Sequence, residues 1–299
     1  MSILITGTSG LIGKYLLKYL SNKNYYIIPS CRNPKDSDTL KLDINNREDF
    51  YTLPKSIDTV IHLAALLPTN TLTQSTKEMV ETNSLGTNTL LNWCVYRGIK
   101  KVIFTSTGMV YGPARYLPID EDHPKLPRGP KSSYGLSKLL GELFCLRFQE
   151  DFKMNCTLLR LSEVYGFGSR SGYILSKFIG LAEEGNPLVI YGEGTTERDL
   201  LYLKDLGPLL ETLLNSNYSG VYNIGSGTGT SIKFLAESLV EIYTKGSTIE
   251  YERNIKEATS SIILNIQKAR RDLNFNPQYS LLEGLRDLKS DKENSIETH

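Results

Sequence analysis

The first half of the chain alternates short apolar, β-branched runs with longer amphipathic segments. Ser2–Thr6 predicts a buried strand, and Leu11–Ser21 predicts a helix with its apolar residues at helical spacing. Further strand-like runs cover residues 25–29, 39–42, 59–63, 102–106 and 157–161, and long helical patterns cover 76–97 and 133–152. Strands that alternate with helices predict a parallel sheet covered on both faces. We therefore expect a doubly wound α/β core over residues 1–165.

The pattern changes after about residue 165, where the loops become longer and richer in glycine. Helical patterns near 173–184, 204–215 and 231–243 are separated by short strand patterns at 188–191 and 221–224. This part predicts a smaller C-terminal α/β lobe over 166–290 that binds substrate, with some segments returning to the core. The polar residues 291–299 are expected to form a flexible tail.

Composition and charge exclude several classes of protein. The 299 residues include 34 Lys+Arg and 33 Asp+Glu, a net charge of +1 that gives no basic surface for nucleic acid. No apolar run approaches the ~20 residues of a membrane helix. Met1 leads into an apolar strand without the basic start of a secretory leader, which predicts a cytoplasmic protein. Four dispersed cysteines and three histidines predict neither a disulfide framework nor a metal site.

A glycine-rich turn joins the first predicted strand to the first predicted helix. Gly7, Gly10 and Gly13 allow a tight turn, close approach of a pyrophosphate, and close helix–strand packing. The helix N-terminus adds amide donors for an anion. The spacing is GxxGxxG, and a glycine turn without a nucleotide is the alternative. Its position between strand and helix favours a dinucleotide.

The end of the second strand bears on which dinucleotide binds. No acidic residue follows this strand before Asp36, whereas Ser30 and Arg32 suit a 2′-phosphate better than a hydroxyl. These residues favour NADP over NAD. The alternative is that Arg32 is a solvated loop charge.

Tyr134 and Lys138 stand four residues apart and so share one helix face. A phenol with a pKa near ~10 needs help to act as a base at neutral pH. A neighbouring ammonium and a cationic nicotinamide ring would lower that pKa. Such a pair is common by chance, but here it follows a dinucleotide loop and a strand that ends in Thr105-Ser106-Thr107.

Ordered motifs from Gly7 to about Leu285 make the chain resemble the extended short-chain dehydrogenase/reductase family, the NAD-dependent epimerase/dehydratase group that acts on nucleotide sugars. The motifs are the glycine loop, Asp43-Ile44, His62–Ala65, Asn83 with Gly86–Asn88, Ser106–Gly112, Tyr134 with Lys138, Arg160–Gly166, Gly192–Gly194 with Arg198-Asp199, and Tyr222–Gly225. The resemblance implies a Rossmann-type core, a bound NAD(P) and a nucleotide-diphosphate sugar as substrate.

The resemblance also implies residue roles. Thr107 would hydrogen-bond the reacting oxygen, Tyr134 would be the acid/base, and Lys138 would anchor the nicotinamide ribose. The cofactor would contact Gly7, Ser9, Gly10, Leu11, Ile12, Gly13, Ser30, Arg32, Asp43, Ile44, Leu63, Ala64, Ala65, Thr105, Tyr134, Lys138, Leu161 and Ser162. The substrate would contact Thr107, Gly108, Glu163 and Arg198, the last at its diphosphate. Structural alternatives are core packing for Ala64 and Ala65, an ion pair with Asp199 for Arg198, and a core role for His62.

Departures from the family pattern narrow the reaction. Dehydratases of this family carry an Asp-Glu pair directly after the catalytic threonine, because elimination of water needs a second acid/base pair. Gly108 and Met109 stand there, which argues against a 4,6-dehydratase. Glu163 replaces a frequent Asn, and only Arg253 and Lys256 could substitute for the arginine-rich C-terminal loop.

Two enzymatic interpretations stay open, a nucleotide-sugar epimerase that retains NAD and a 4-ketoreductase that exchanges NADPH. A non-catalytic dinucleotide-binding sensor or scaffold is the alternative from another class. Apolar positions around the helices at 76–97 and 133–152 exceed one buried stripe, which predicts a homodimer through these helices.

Overall fold

The computed structural model describes residues 1–68, 76–129, 132–169, 173–257 and 261–297. The strands are β1 (Ser2–Thr6), β2 (Tyr26–Cys31), β3 (Leu40–Lys41), β4 (Thr59–His62), β5 (Lys101–Thr107), β6 (Asn155–Leu161), β7 (Glu163–Tyr165), β8 (Leu188–Tyr191), β9 (Glu197–Arg198), β10 (Leu200–Tyr202), β11 (Gly220–Ile224), β12 (Thr230–Ser231) and β13 (Ile249–Glu252). The α-helices are α1 (Leu11–Leu20), α2 (Thr76–Met79), α3 (Gly86–Tyr96), α4 (Ser132–Phe152), α5 (Ile174–Glu184), α6 (Leu206–Leu214), α7 (Ile232–Tyr243), α8 (Gln267–Leu273) and α9 (Leu281–Glu297).

Seven parallel strands form the central sheet in the order β11-β6-β5-β4-β1-β2-β3. Side chains alternate across it, as the buried strand β1 shows: Ile3 and Ile5 pack with α1, α6 and α8 on one face. Leu4 packs with α3 and α4 on the other face. Helices therefore cover both faces, and the predicted doubly wound α/β fold is confirmed.

A smaller lobe has its own apolar core between α5, α7 and α9. Its strands form three two-stranded pairs, β7 with β10, β8 with β13, and β9 with β12. The strand near 221–224 and the helix near 204–215 lie elsewhere than this lobe, because β11 pairs with β6 and α6 packs on the central sheet.

Three segments differ from the sequence expectation. The helical run at 76–97 contains a π-helical segment, Val80–Leu85, between α2 and α3. Strand β2 extends two residues past the predicted end, to Cys31. The expected tail continues α9 as far as Glu297, where Lys292 pairs with Glu183 at 2.7 Å. Within the described residues, no helix is both long and apolar enough to cross a bilayer.

Candidate active site

A cleft of about 1300 Å³ opens at the carboxyl ends of the central strands and extends to the smaller lobe. Parallel sheets place binding sites at this edge because the loops that leave the strands converge there. Every site residue expected from the sequence lines the cleft except Ser30. These lining residues are Gly7, Ser9, Gly10, Leu11, Ile12, Gly13, Arg32, Asp43, Ile44, Leu63, Ala64, Ala65, Thr105, Thr107, Gly108, Tyr134, Lys138, Leu161, Ser162, Glu163 and Arg198.

The glycine loop leaves its backbone open to the cleft. Gly7 has φ +76°, and a Cβ there would lie 2.7 Å from the Ala64 backbone. A Cβ on Gly13 would lie 2.5 Å from Thr8 Cα, so α1 packs closely on the loop. Gly10 caps α1 without a side-chain hydrogen bond, which leaves the first amides of the helix for a ligand. This cradle fits the pyrophosphate of a dinucleotide.

A second loop that lines the cleft, residues 64–66, is held by two buried side chains. The Thr6 hydroxyl oxygen accepts from the Ala64 N–H at 3.2 Å. Asn83, in the π-helical segment, accepts from the Leu66 N–H at 2.6 Å and donates to the Leu66 carbonyl at 2.9 Å. Because the oxygen and the nitrogen of the Asn83 side-chain amide both bind the Leu66 backbone, the side chain fixes this wall of the cleft.

His62 lies beneath this loop, with both ring nitrogens engaged. Nδ1 is 2.7 Å from the Thr6 hydroxyl, and Nε2 is 3.0 Å from the Thr87 hydroxyl. Burial and the nearby Lys138 lower the pKa of His62 to about 3. The ring is therefore neutral and supports the ends of the strands rather than the chemistry.

Ser30 contradicts its expected role at the cofactor. Its side chain is fully buried, and its hydroxyl donates to the Ile5 carbonyl at 3.1 Å. As strand residues alternate in direction, the extension of β2 to Cys31 turns Ser30 into the sheet. Ser30 therefore no longer favours NADP. The exposed Arg32 does line the cleft and is the one of the two residues that still does.

The proposed catalytic side chains Thr107, Tyr134 and Lys138 all line the cleft where α4 begins beside the end of β5. Thr107 ends β5, and its hydroxyl oxygen accepts from the Met109 N–H at 3.3 Å. A Cβ on Gly135 would lie 2.4 Å from the Met109 carbonyl oxygen. The glycine therefore lets the first turn of α4, with Tyr134, approach the turn that follows Thr107.

Burial dominates the electrostatics of these groups. Burial, together with the nearby Tyr173, raises the pKa of Tyr134 above its ordinary value, opposite to the expected lowering. The low-dielectric surroundings disfavour the phenolate, and the expected lowering requires the positive nicotinamide ring. Burial also lowers the pKa of Lys138 to about 8, so its ammonium, 4.0 Å from the Phe104 ring centroid, stays charged at neutral pH.

The part of the cleft that contains Arg198 is ordered around a buried carboxylate, that of Asp199. Asp199 accepts from the Ser226 N–H and O–H at 2.7 Å each and from the Leu264 N–H at 3.0 Å. Burial raises the pKa of Asp199, and these hydrogen bonds oppose the rise. These hydrogen bonds fix the chain at Asp199. Its neighbour Arg198, the last residue of β9, lines the cleft.

Among the cleft-lining side chains that sequence reasoning missed are Arg115, Arg128 and Tyr173. The two arginines lie outside regular helices and strands, and Tyr173 precedes α5, so no periodic pattern marks them. The proposed substitutes for the arginine-rich loop lie elsewhere: Arg253 pairs with Glu193 at 2.9 Å, and neither it nor Lys256 lines the cleft.

Comparison with known proteins agrees with this geometry. Residues 3–225 match the model of the NAD dependent epimerase/dehydratase family. A putative UDP-glucose 4-epimerase of Methanocaldococcus jannaschii is 30% identical over 95% of this chain and 96% of its own length.

Solved structures share the fold over almost the whole chain. The UDP-glucose 4-epimerase of Thermotoga maritima, solved with UDP-glucose, has a TM-score of 0.89 and 27% identity over 99% of this chain and 100% of its own. MoeE5, solved with UDP-glucuronic acid and NAD, has a TM-score of 0.85 and 28% identity over the same shares.

Proposed function

Because this chain belongs to the NAD-dependent epimerase/dehydratase family, we propose that it is an NAD-dependent nucleotide-sugar 4-epimerase with a UDP-sugar as substrate. The observation that carries the proposal is one continuous cleft: the glycine loop lies along one part, Thr107, Tyr134 and Lys138 along another, and Arg198 along a third. NAD is favoured over NADP because the Ser30 hydroxyl, which donates to the Ile5 carbonyl, is not available to a 2′-phosphate, and because the similar MoeE5 was solved with NAD. The similar proteins named as UDP-glucose 4-epimerases support the substrate class.

The chain's own groups supply binding and proton transfer. The open amides at the start of α1 would bind the cofactor pyrophosphate, and the guanidinium of Arg198 would bind the substrate diphosphate. Tyr134 would take the proton of the sugar hydroxyl and return it, while Thr107 orients the same oxygen. Lys138, charged at neutral pH, favours the phenolate that this transfer needs. NAD, when bound, supplies the acceptor and donor of the hydride.

Gly108 and Met109 argue against dehydration. Both line the cleft directly after Thr107, and neither side chain can carry a proton. A Cβ on Gly108 would lie 3.2 Å from Ile262, so the space beside Thr107 is also narrow. Oxidation and re-reduction of a hydroxyl need only one acid/base side chain, and Tyr134 can supply it.

A second candidate is a 4-ketoreductase that uses NADPH, which the exposed Arg32 in the cleft favours. The two differ in whether the cofactor leaves at each turnover. The test is to denature freshly purified protein, identify any released dinucleotide by mass spectrometry, and assay interconversion of UDP-glucose and UDP-galactose. Near-stoichiometric NAD with interconversion supports the epimerase. An empty protein that prefers NADPH supports the reductase, and cofactor binding without turnover of any nucleotide sugar supports the non-catalytic alternative.

A further inference from the structure

A buried ion pair lies beneath the proposed catalytic residues. Glu142 on α4 and Arg160 on β6 are 1% and 3% exposed, and an Arg160 Nη lies 2.7 Å from Glu142 Oε2. Arg160 Nε donates to the same carboxylate at 3.0 and 3.2 Å. The Ser106 hydroxyl donates to Oε1 at 2.5 Å. One carboxylate thus joins the helix that bears Tyr134 to the ends of the two strands beside it.

The guanidinium is itself fixed on its far side. Arg160 donates to the Tyr111 hydroxyl at 2.8 Å, and that hydroxyl donates to Asn223 Oδ1 at 2.6 Å. Asn223 is held in turn by Glu121, whose carboxylate accepts a hydrogen bond from the Asn223 backbone N–H at 2.8 Å. With these partners in place, Arg160 cannot follow Glu142 if the carboxylate moves, so the pair has one geometry.

Glu142 shares a helix face with the proposed catalytic pair. Tyr134, Lys138 and Glu142 stand at i, i+4 and i+8 of α4 and are all buried. The same face packs on β5, where Phe104 contacts the Lys138 ammonium and Ser106 contacts Glu142. Phe104 and Ser106 are two residues apart and so point to one side of the sheet.

The charges around Lys138 explain why this carboxylate matters. In the described part of the chain, the titratable groups whose charge bears on Lys138 are Cys145 and Glu142 on α4 and His62 on β4. Tyr134 stands one helical turn before Lys138 on the same face of α4. β5 offers the Phe104 ring, and the π-helical segment packed on α4 offers the neutral Asn83 and Ser84. His62 is neutral, Arg160 is a second cation behind Glu142, and Glu142 is the one carboxylate of the set.

We propose that Glu142 is a positioning residue whose carboxylate, fixed by Arg160 and Ser106 one helical turn from Lys138, keeps the Lys138 side chain cationic. An ammonium with no water around it needs a near anion to keep its proton. The free Glu142 could rotate away from Lys138, but its three bonds to Arg160 and one to Ser106 prevent this. Burial lowers the pKa of Lys138 to about 8 even with the charge of Glu142 acting against it, which leaves little margin above neutrality.

The test follows the titration of Lys138 and needs neither substrate nor turnover. This test can fail whether or not the proposed function is correct. Only the catalytic importance of a charged Lys138 rests on the proposed function. The protein is labelled with ¹³C at the lysine Cε, the Lys138 signal is assigned by its loss in Lys138→Met, and its pH midpoint is measured by NMR. In Glu142→Gln, the midpoint should fall by about one pH unit or more, because an anion is lost and Arg160 remains.

A merely structural role gives the opposite sign. Loosening of the packing would admit water and raise the midpoint toward the ordinary lysine value, so a rise or an unchanged midpoint overturns the proposal. Ser106→Ala is the matched control: it removes one of the four hydrogen bonds of the Glu142 carboxylate without a change in charge, and the three bonds from Arg160 remain, so the midpoint should move by much less than in Glu142→Gln. If Glu142→Gln does not fold, Glu142→Gln with Arg160→Met removes both charges, as buried ion pairs often tolerate. This double variant should show a smaller fall, and a rise or no change again overturns the proposal.

Discussion

The hydroxyl of Ser30 donates to the carbonyl of Ile5 at 3.1 Å, across the neighbouring strands β2 and β1. The bond holds the hydroxyl inside the sheet and away from the cleft. Arg32, two residues later, is exposed and lines the cleft. Of these two residues, only Arg32 is placed to contact a 2′-phosphate.

This geometry predicts different outcomes for the two residues. Ser30→Ala should leave the ratio of NADH to NADPH affinity unchanged, measured by fluorescence titration of each reduced cofactor. Arg32→Ala should lower the affinity for NADPH and leave the affinity for NADH unchanged, because the 2′-phosphate of NADPH would lose a charged partner. A changed ratio in Ser30→Ala would contradict the placement of that hydroxyl.

Tyr134→Phe should retain dinucleotide affinity and lower kcat by about 10²–10⁴-fold, as expected for loss of a general acid/base. The ring of the variant still fills the same buried position in the cleft wall. Steady-state kinetics with the nucleotide-sugar substrate measure the loss of kcat, and a cofactor titration measures the dinucleotide affinity. Near-normal turnover would remove Tyr134 from the mechanism.

Asn83→Ala should destabilise the protein by about 1–3 kcal/mol, because the Leu66 N–H and carbonyl each lose a buried partner. Dinucleotide affinity should fall as well, since residues 64–66 form a wall of the cleft. Urea unfolding and cofactor titration measure the two effects. Asn92→Ala, at an exposed position on α3, is the control and should change stability by no more than about 0.5 kcal/mol.

His62 should make the protein sensitive to acid. Its pKa is lowered in the folded chain to about 3 from an ordinary value of 6.5, so below pH 6.5 the unfolded chain binds a proton that the folded chain refuses. Stability then falls as the pH falls from 6.5 to about 3, by up to about 1.4 kcal/mol per pH unit. His62→Gln should reduce this slope in urea unfolding between pH 6.5 and 4. An identical slope in the variant would refute the assignment.

We expect a homodimer through α3 and α4. Leu136 and Leu143 lie seven residues apart on α4 and are exposed, and Leu85 is exposed just before α3. Light scattering at micromolar concentration should give twice the chain mass. Leu143→Glu should shift the protein toward monomer, whereas Tyr51→Glu, at an exposed apolar position outside these helices, should not. A monomeric wild-type protein would contradict the prediction.

Local pattern determined much of this protein. Alternating strands and helices determined the doubly wound core, because each buried strand and amphipathic helix has its own period. The glycine turn and the Tyr134–Lys138 pair could be found from the sequence because each lies within one short segment. The ordered motifs along the chain determined the family.

Tertiary structure decided what depends on contacts between distant segments. The direction of Ser30 followed from the length of β2 and its partner Ile5, and no local pattern in the sequence marks that bond. Burial, which the whole fold sets, raised the pKa of Tyr134 and lowered that of Lys138. The Glu142–Arg160 pair joins residues on α4 and β6, and only the packing of the helix on the sheet brings their charges together.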